Sequence, residues 1–251
     1  MAFTRALSGT GLVAAACASW QIGPAATWLP VVRRATPCLA GRGYPDRVAL
    51  TFDDGPSSRT WRLLDTLAEL DVQATFFMVG EYLERNRLIG EAVAKSGHEI
   101  AVHGWRHRYL LGQGVRRVSA ELARARDLVA DVSGSPPRWF RPPYGVLTGS
   151  ALVAAARVGL QPILWTAWAR DWVDQVTASE VLATLTPGLR GGATVVLHEP
   201  PPGAPPSRGQ ATLAALPELV AHLRVQGLTP GPLRDHGLNG RGSLGFRGNL
   251  R

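Results

Sequence analysis

With 251 residues, 45% of them hydrophobic and 18% charged, the chain can bury a sizeable core and is too apolar to stay disordered. Its net charge of +8 comes from 27 basic residues, of which Lys95 is the one lysine; they are spread along the chain, a pattern that does not point to a nucleic-acid partner. Two cysteines, Cys17 and Cys38, give no disulfide framework or thiolate metal site, and no run approaches the ~20 apolar residues of a membrane span.

In chain order, Arg5 followed by "GLVAAACAS" reads either as a weak signal peptide or as a helix leading into the domain. Residues 1–44 are therefore set apart as an N-terminal extension, and a secreted or cell-envelope setting is favoured over a cytoplasmic one. From Arg47 onward short apolar runs alternate with amphipathic ones. Strands are expected at "RVALTF" (47–52), "ATFFMVG" (74–80), "HEIAVH" (98–103), "RWFR" (138–141), "QPILWTAW" (161–168) and "ATVVLH" (193–198), with a weaker one at "LTPGPL" (228–233).

Helical spacing places Trp61, Leu64 and Leu67–Ala68 on one face, Val118, Leu122, Ala125 and Val129 on another, and Leu213, Leu216, Leu219 and Leu223 on a third. Segments 149–158 and 178–186 also read as helices. "EPPPGAPPS" (199–207) is a proline-rich loop, and the glycine- and arginine-rich 236–251 is a tail expected to be disordered. Strand–helix alternation with continuous apolar strands predicts a mostly parallel sheet covered by helices, as a barrel or a doubly wound sheet, over 45–235. No glycine-rich phosphate loop opens any helix, which removes the main support for nucleotide binding.

The strand ends carry the chemistry. "VALTF" runs into Asp53 and Asp54, "EIAV" into His103 with His107 four residues on, and "WF" into Arg141 with Pro142, Pro143 and Tyr144. "ILWTAW" leads to Asp171 and Trp172, and "TVVL" to His198. In α/β barrels the active site forms at these ends. Two histidines at i,i+4 with a carboxylate, and open positions left for water, suit a catalytic zinc or similar divalent ion. Taken alone, Asp53-Asp54-Gly55-Pro56 also fits a solvated turn.

"TFDDGP", "HGWRH", "RPPYG", "RDW" and "VVLH", in this order, resemble the five motifs of the polysaccharide deacetylases, the NodB-homology or carbohydrate esterase family 4 enzymes. The resemblance covers roughly residues 45–235 and implies a distorted (β/α)7-type barrel. It implies that Asp54, His103 and His107 hold a divalent metal, with zinc expected and cobalt or nickel as other options. By the same resemblance, Asp53 would be the general base, Arg141 would orient it, and the Tyr144 N–H would stabilise the oxyanion. His198 would be the general acid and Asp171 would tune it. Trp172, Val196 and Pro143 would meet the substrate, an acetylated carbohydrate or amino sugar, and a monomer is expected.

Three positions depart from the family pattern: Gly104 in place of Ser or Thr, Val196 in place of Leu, and Glu199 in place of Asp. The loss of a hydroxyl at Gly104 removes a brace from the metal loop. Two other readings stay open here: a non-catalytic relative that binds glycan or cell wall, and an O-deacetylase or other amide hydrolase using the same site. Trp165, Trp168 and Trp172 fit core packing and sugar stacking equally; His98 and His222 read as structural, and His236 has no role.

Overall fold

The computed structural model describes residues 19–238. The sequence readings on the first 18 residues, on Cys17 and on 239–251 lie outside the described residues. Eight strands form one sheet in which every pairing is parallel, in the order β5-β4-β3-β2-β1-β7-β6, with β8 beside the start of β1. They are β1 (Arg47–Gly55), β2 (Thr75–Met78), β3 (Glu99–Val102), β4 (Trp139–Phe140), β5 (Gln161–Pro162), β6 (Ala167–Trp168), β7 (Thr194–His198) and β8 (Thr229–Gly231).

The expected run 161–168 is two short strands, not one. They are the two edges of the sheet, and four residues carry the chain from one to the other, so the sheet curls into a half-barrel. Within that crossing Leu164 N–H donates to Leu39 O at 2.8 Å and Thr166 N–H to Thr194 O at 2.9 Å. An apolar run cannot reveal such a crossing, because periodicity is silent on which partner each residue meets.

Eight helices with both ends among the described residues surround the sheet: α1 (Pro30–Ala35), α2 (Thr60–Glu69), α3 (Gly80–Arg85), α4 (Arg87–Lys95), α5 (Val115–Ser133), α6 (Gly149–Arg157), α7 (Ala178–Leu185) and α8 (Gln210–Val225). Two of these, α3 and α4, were not anticipated; no side-chain cap hydrogen bond marks the start of either, and α3 begins at Gly80, the last residue of the expected strand 74–80. The face of α5 is as expected; α8 buries Leu216, Leu219 and Leu223 as expected but leaves Leu213 half-buried. That of α2 is rotated: Leu63, Leu64 and Leu67 are buried, whereas Trp61 is 46% exposed.

Alternation along β1 separates two environments. Val48, Leu50 and Phe52 face the helices and join the main core. Ala49 faces the half-barrel interior with Phe77, Ala101, Trp139 and Ile163, where Leu233 and Leu238 fill the bottom. Residues 236–238 therefore belong to the folded body: His236 is buried, with Nε2 at 3.2 Å from Gly192 O. Residues 19–44 likewise pack on the domain. Gln21 Nε2 donates to Ser150 Oγ at 2.7 Å, and Trp28 meets Trp165 edge-on.

Candidate active site

Asp53 shares the parity of Ala49 and Thr51, so β1 delivers its side chain to the half-barrel interior. Simple alternation would send Asp54 to the opposite face. Instead Asp53 opposes Phe77 and Gly55 opposes Met78, leaving Asp54 as an extra residue at φ 74°. This bulge, in a conformation Asp tolerates better than most residues, turns both carboxylates toward one cavity.

Arg141, at the end of β4, is wholly buried and organises the floor. Its Nη1 donates to Asp53 Oδ1 at 2.6 Å and to Thr51 Oγ1 at 2.8 Å, and Nη2 donates to Leu164 O at 3.0 Å. The guanidinium lies 3.9 Å from the Phe77 ring centroid. Burial pulls its pKa below the ordinary arginine value, and the Asp53 carboxylate opposes that pull.

Asp54, His103 and His107 bring one donor atom each within 4.8 Å of one another. Asp54 Oδ1 lies 3.3 Å from His103 Nε2 and 3.1 Å from His107 Nε2. His103 Nδ1 is 2.8 Å from Arg141 O, and since a carbonyl only accepts, Nδ1 carries the proton and Nε2 offers a lone pair. Asp54 Oδ1 is buried and finds no proton donor of its own. A carboxylate oxygen facing imidazole lone pairs is a donor set that fits a divalent cation. The loop carrying the histidines is braced without a hydroxyl at Gly104: Gly80 N–H donates to Gly104 O and Glu81 N–H to Trp105 O, both at 2.9 Å. Gly104 itself sits at φ 83°, where a side chain would be strained.

On the other side, Asp171 Oδ1 is 2.9 Å from His198 Nδ1, and Oδ2 accepts from the His198 N–H at 2.7 Å and from Thr212 Oγ1 at 2.8 Å. Burial works to lower the His198 pKa, yet Asp171, helped by the charges of Asp54 and Asp53, raises it to about 9. At neutral pH this histidine is protonated. Tyr144, at φ 59° in the turn Pro143–Gly145, presents a backbone N–H with no backbone acceptor among the described residues. Its ring stacks on Tyr109 and meets His107 edge-on.

A cavity of about 400 Å³ is lined by Asp53, Asp54, His103, His107, Tyr144, Asp171, Trp172 and His198 among others. It thus gathers eight of the eleven residues singled out from sequence. Arg141 supports it from beneath. Val196 and Pro143, expected to touch substrate, are absent from its wall: Val196 is fully buried against Leu164 and Trp165, and Pro143 is buried beside Gly104. Thr212 and Thr51 were missed, although each is a lone hydroxyl in an otherwise apolar stretch. Glu199 also lines the cavity. Its carboxyl is buried against Gly55, accepts a hydrogen bond from Thr60 Oγ1, and is pushed up by burial to about 8.

A curled parallel sheet with a buried acid–base system and a metal-capable triad at the C-terminal ends of its strands has the layout of a barrel-type hydrolase site. The family model for polysaccharide deacetylase matches residues 40–163. A chitooligosaccharide deacetylase of Sinorhizobium fredii is 36% identical over 199 residues, covering 75% of this chain and 90% of that protein. The peptidoglycan-N-acetylglucosamine deacetylase PgdA of Listeria monocytogenes is 33% identical over 182 residues, covering 72% of this chain; the match spans only 36% of that longer relative. Among solved structures, the Bc1960 peptidoglycan N-acetylglucosamine deacetylase superposes with a TM-score of 0.71 at 27% identity, covering 78% of this chain and 91% of the other. The chain belongs to the polysaccharide deacetylase family.

Proposed function

We propose that the protein is a metal-dependent hydrolase that removes the N-acetyl group from an amino sugar in an oligo- or polysaccharide. The observation that carries this reading is the separation of roles between adjacent carboxylates: Asp53 is bound by Arg141, while Asp54 faces two imidazoles. Asp54, His103 and His107 would hold the ion, with zinc the first candidate. When bound, it would supply Lewis-acid polarisation of the acetyl carbonyl and lower the pKa of a water to about 7.

The remaining chemistry falls to the chain. Asp53, fixed by Arg141, takes the proton from the attacking water. The Tyr144 N–H donates to the oxygen that gains charge as the carbonyl becomes tetrahedral. The C–N bond then breaks as His198 gives its Nε2 proton to the departing amine, and Asp171 holds the resulting imidazole in place. Trp172, edge-on to His198 at 4.8 Å, borders the acetyl methyl. Relatives named for chitooligosaccharides and peptidoglycan support an N-acetylglucosamine-containing substrate, and a cell-envelope setting accords with it.

The test is an acetate-release screen with zinc-loaded protein across chitin oligomers, peptidoglycan and acetylated xylan. Release from the N-acetylated substrates, abolished by EDTA, is the expected result. Release from xylan alone would reassign the activity to O-deacetylation, and inactivity of metal-loaded protein on all three would overturn the reading.

A further inference from the structure

The cavity wall includes Trp28, which lies ahead of β1 and outside residues 40–163 matched by the family. The turn Gly23–Trp28 and α1 hold this residue in place. Arg33 Nε donates to Thr27 O at 2.9 Å, and its guanidinium lies 5.5 Å from the Trp28 ring centroid. The indole meets Trp165 at 5.6 Å and Trp168 at 6.2 Å, both edge-on. Trp168 stacks on Trp172 at 5.3 Å with the planes 20° apart, and Trp172 stands edge-on to His198. A continuous row of rings therefore runs from the proton donor out to the N-terminal segment.

Trp28 and Trp168 remain 42% and 38% exposed. Core packing alone would bury these rings more fully, and both line the same cavity as Asp53, Asp54, His103, His107 and His198. A pyranose ring is apolar on its axial C–H face and polar at its rim, so it pairs with the face of an indole while its hydroxyls stay wet.

We infer that Trp28 and Trp168 form a subsite that stacks a second pyranose ring of the same glycan chain, beside the sugar whose acetamide is cleaved. The inference rests on the deacetylase reading and narrows the substrate to an oligosaccharide or polymer. It also gives the segment before the family domain a role in specificity.

The experiment compares kcat and KM for N-acetylglucosamine and chitotetraose in the zinc-loaded full chain and in Trp28→Ala, Trp28→Phe and Trp168→Ala. Trp61→Ala, an exposed indole on α2, is the control. The tetraose-to-monosaccharide ratio of kcat/KM should fall about tenfold in Trp28→Ala and Trp168→Ala, through KM more than kcat, and Trp28→Phe should retain most of it. An unchanged ratio, or equal losses on both substrates, overturns the subsite. If Trp28→Ala unfolds, Trp28→Leu keeps apolar packing without an aromatic face and should show the same loss. If the wild-type chain releases no acetate, the deacetylase reading fails by itself. Titration calorimetry with chitotetraose then reads the subsite directly, and binding that is absent or insensitive to Trp28 overturns it.

Discussion

Arg141 Nη1 and Asp53 Oδ1 are 2.6 Å apart with both side chains almost wholly out of water, 88 residues apart in the chain but adjacent across the floor of the site. A charge pair so buried is retained only if both members are present, since either alone would be left uncompensated. Arg141→Met should therefore destabilise the fold by about 3–5 kcal/mol in urea denaturation. Any folded fraction should lose about 10²-fold or more in acetate release, because Asp53 is no longer fixed as base. Arg141→Met with wild-type stability would show that the pair contributes nothing to the fold.

The pH dependence follows from His198. Its pKa in the folded chain is raised to about 9, so in the proposed mechanism the proton for the leaving amine is present below that value and lost above it. Relative to the ordinary histidine value of about 6.5, the Asp171–His198 pair stabilises the fold fully below about pH 6.5 and ceases to do so as pH rises through about 9. Activity should thus fall on an alkaline limb near pH 9. Asp171→Asn should move that limb toward 6.5 and cost more than tenfold in rate at pH 8.

Thr212 supplies the third hydrogen bond to Asp171, reaching it from the first turn of α8. Thr212→Val should weaken the carboxylate's hold on His198 by about 1 kcal/mol, with the alkaline limb shifting down by less than it does in Asp171→Asn. Thr212→Ser should restore the wild-type profile, whereas a valine that changes stability but not the pH profile would mark the residue as packing only.

Glu199 titrates in the opposite sense. Burial raises its folded pKa to about 8, so between about pH 4.5 and 8 the folded chain retains a proton that the unfolded chain gives up. Stability from this group falls as pH rises through that window. Glu199→Gln, which cannot ionise, should raise Tm relative to wild type at pH 8 and leave it nearly unchanged at pH 4. Equal Tm differences at both values would refute the assignment.

Much of this site was legible because strand ends and motif order are written locally. Asp53, His103, Arg141 and His198 each end or follow a strand whose apolar run is unmistakable. Asp54 is different: period-two alternation assigns it to the wrong face, and only the bulge opposite Phe77 and Met78 explains how neighbouring carboxylates share a cavity. Thr212 and Trp28 come from elements far from the motifs, joined to the site by tertiary packing that no spacing encodes. The same limit explains the rotated face of α2, where Leu63 replaces Trp61, and the packing of His236 and Leu238 in what reads as a tail. Val196 carries a motif position, yet its inward parity beneath His198 buries it below the cavity wall.

The central claim is that Asp54 serves the metal and Asp53 the proton. Metal content and acetate release should be measured on the same preparations of wild type, Asp53→Asn and Asp54→Asn. The account predicts about one zinc per chain with turnover in the wild type, about one zinc with at least 10²-fold slower turnover in Asp53→Asn, and loss of zinc in Asp54→Asn. Loss of zinc from Asp53→Asn, or near-normal turnover by it, would contradict the account.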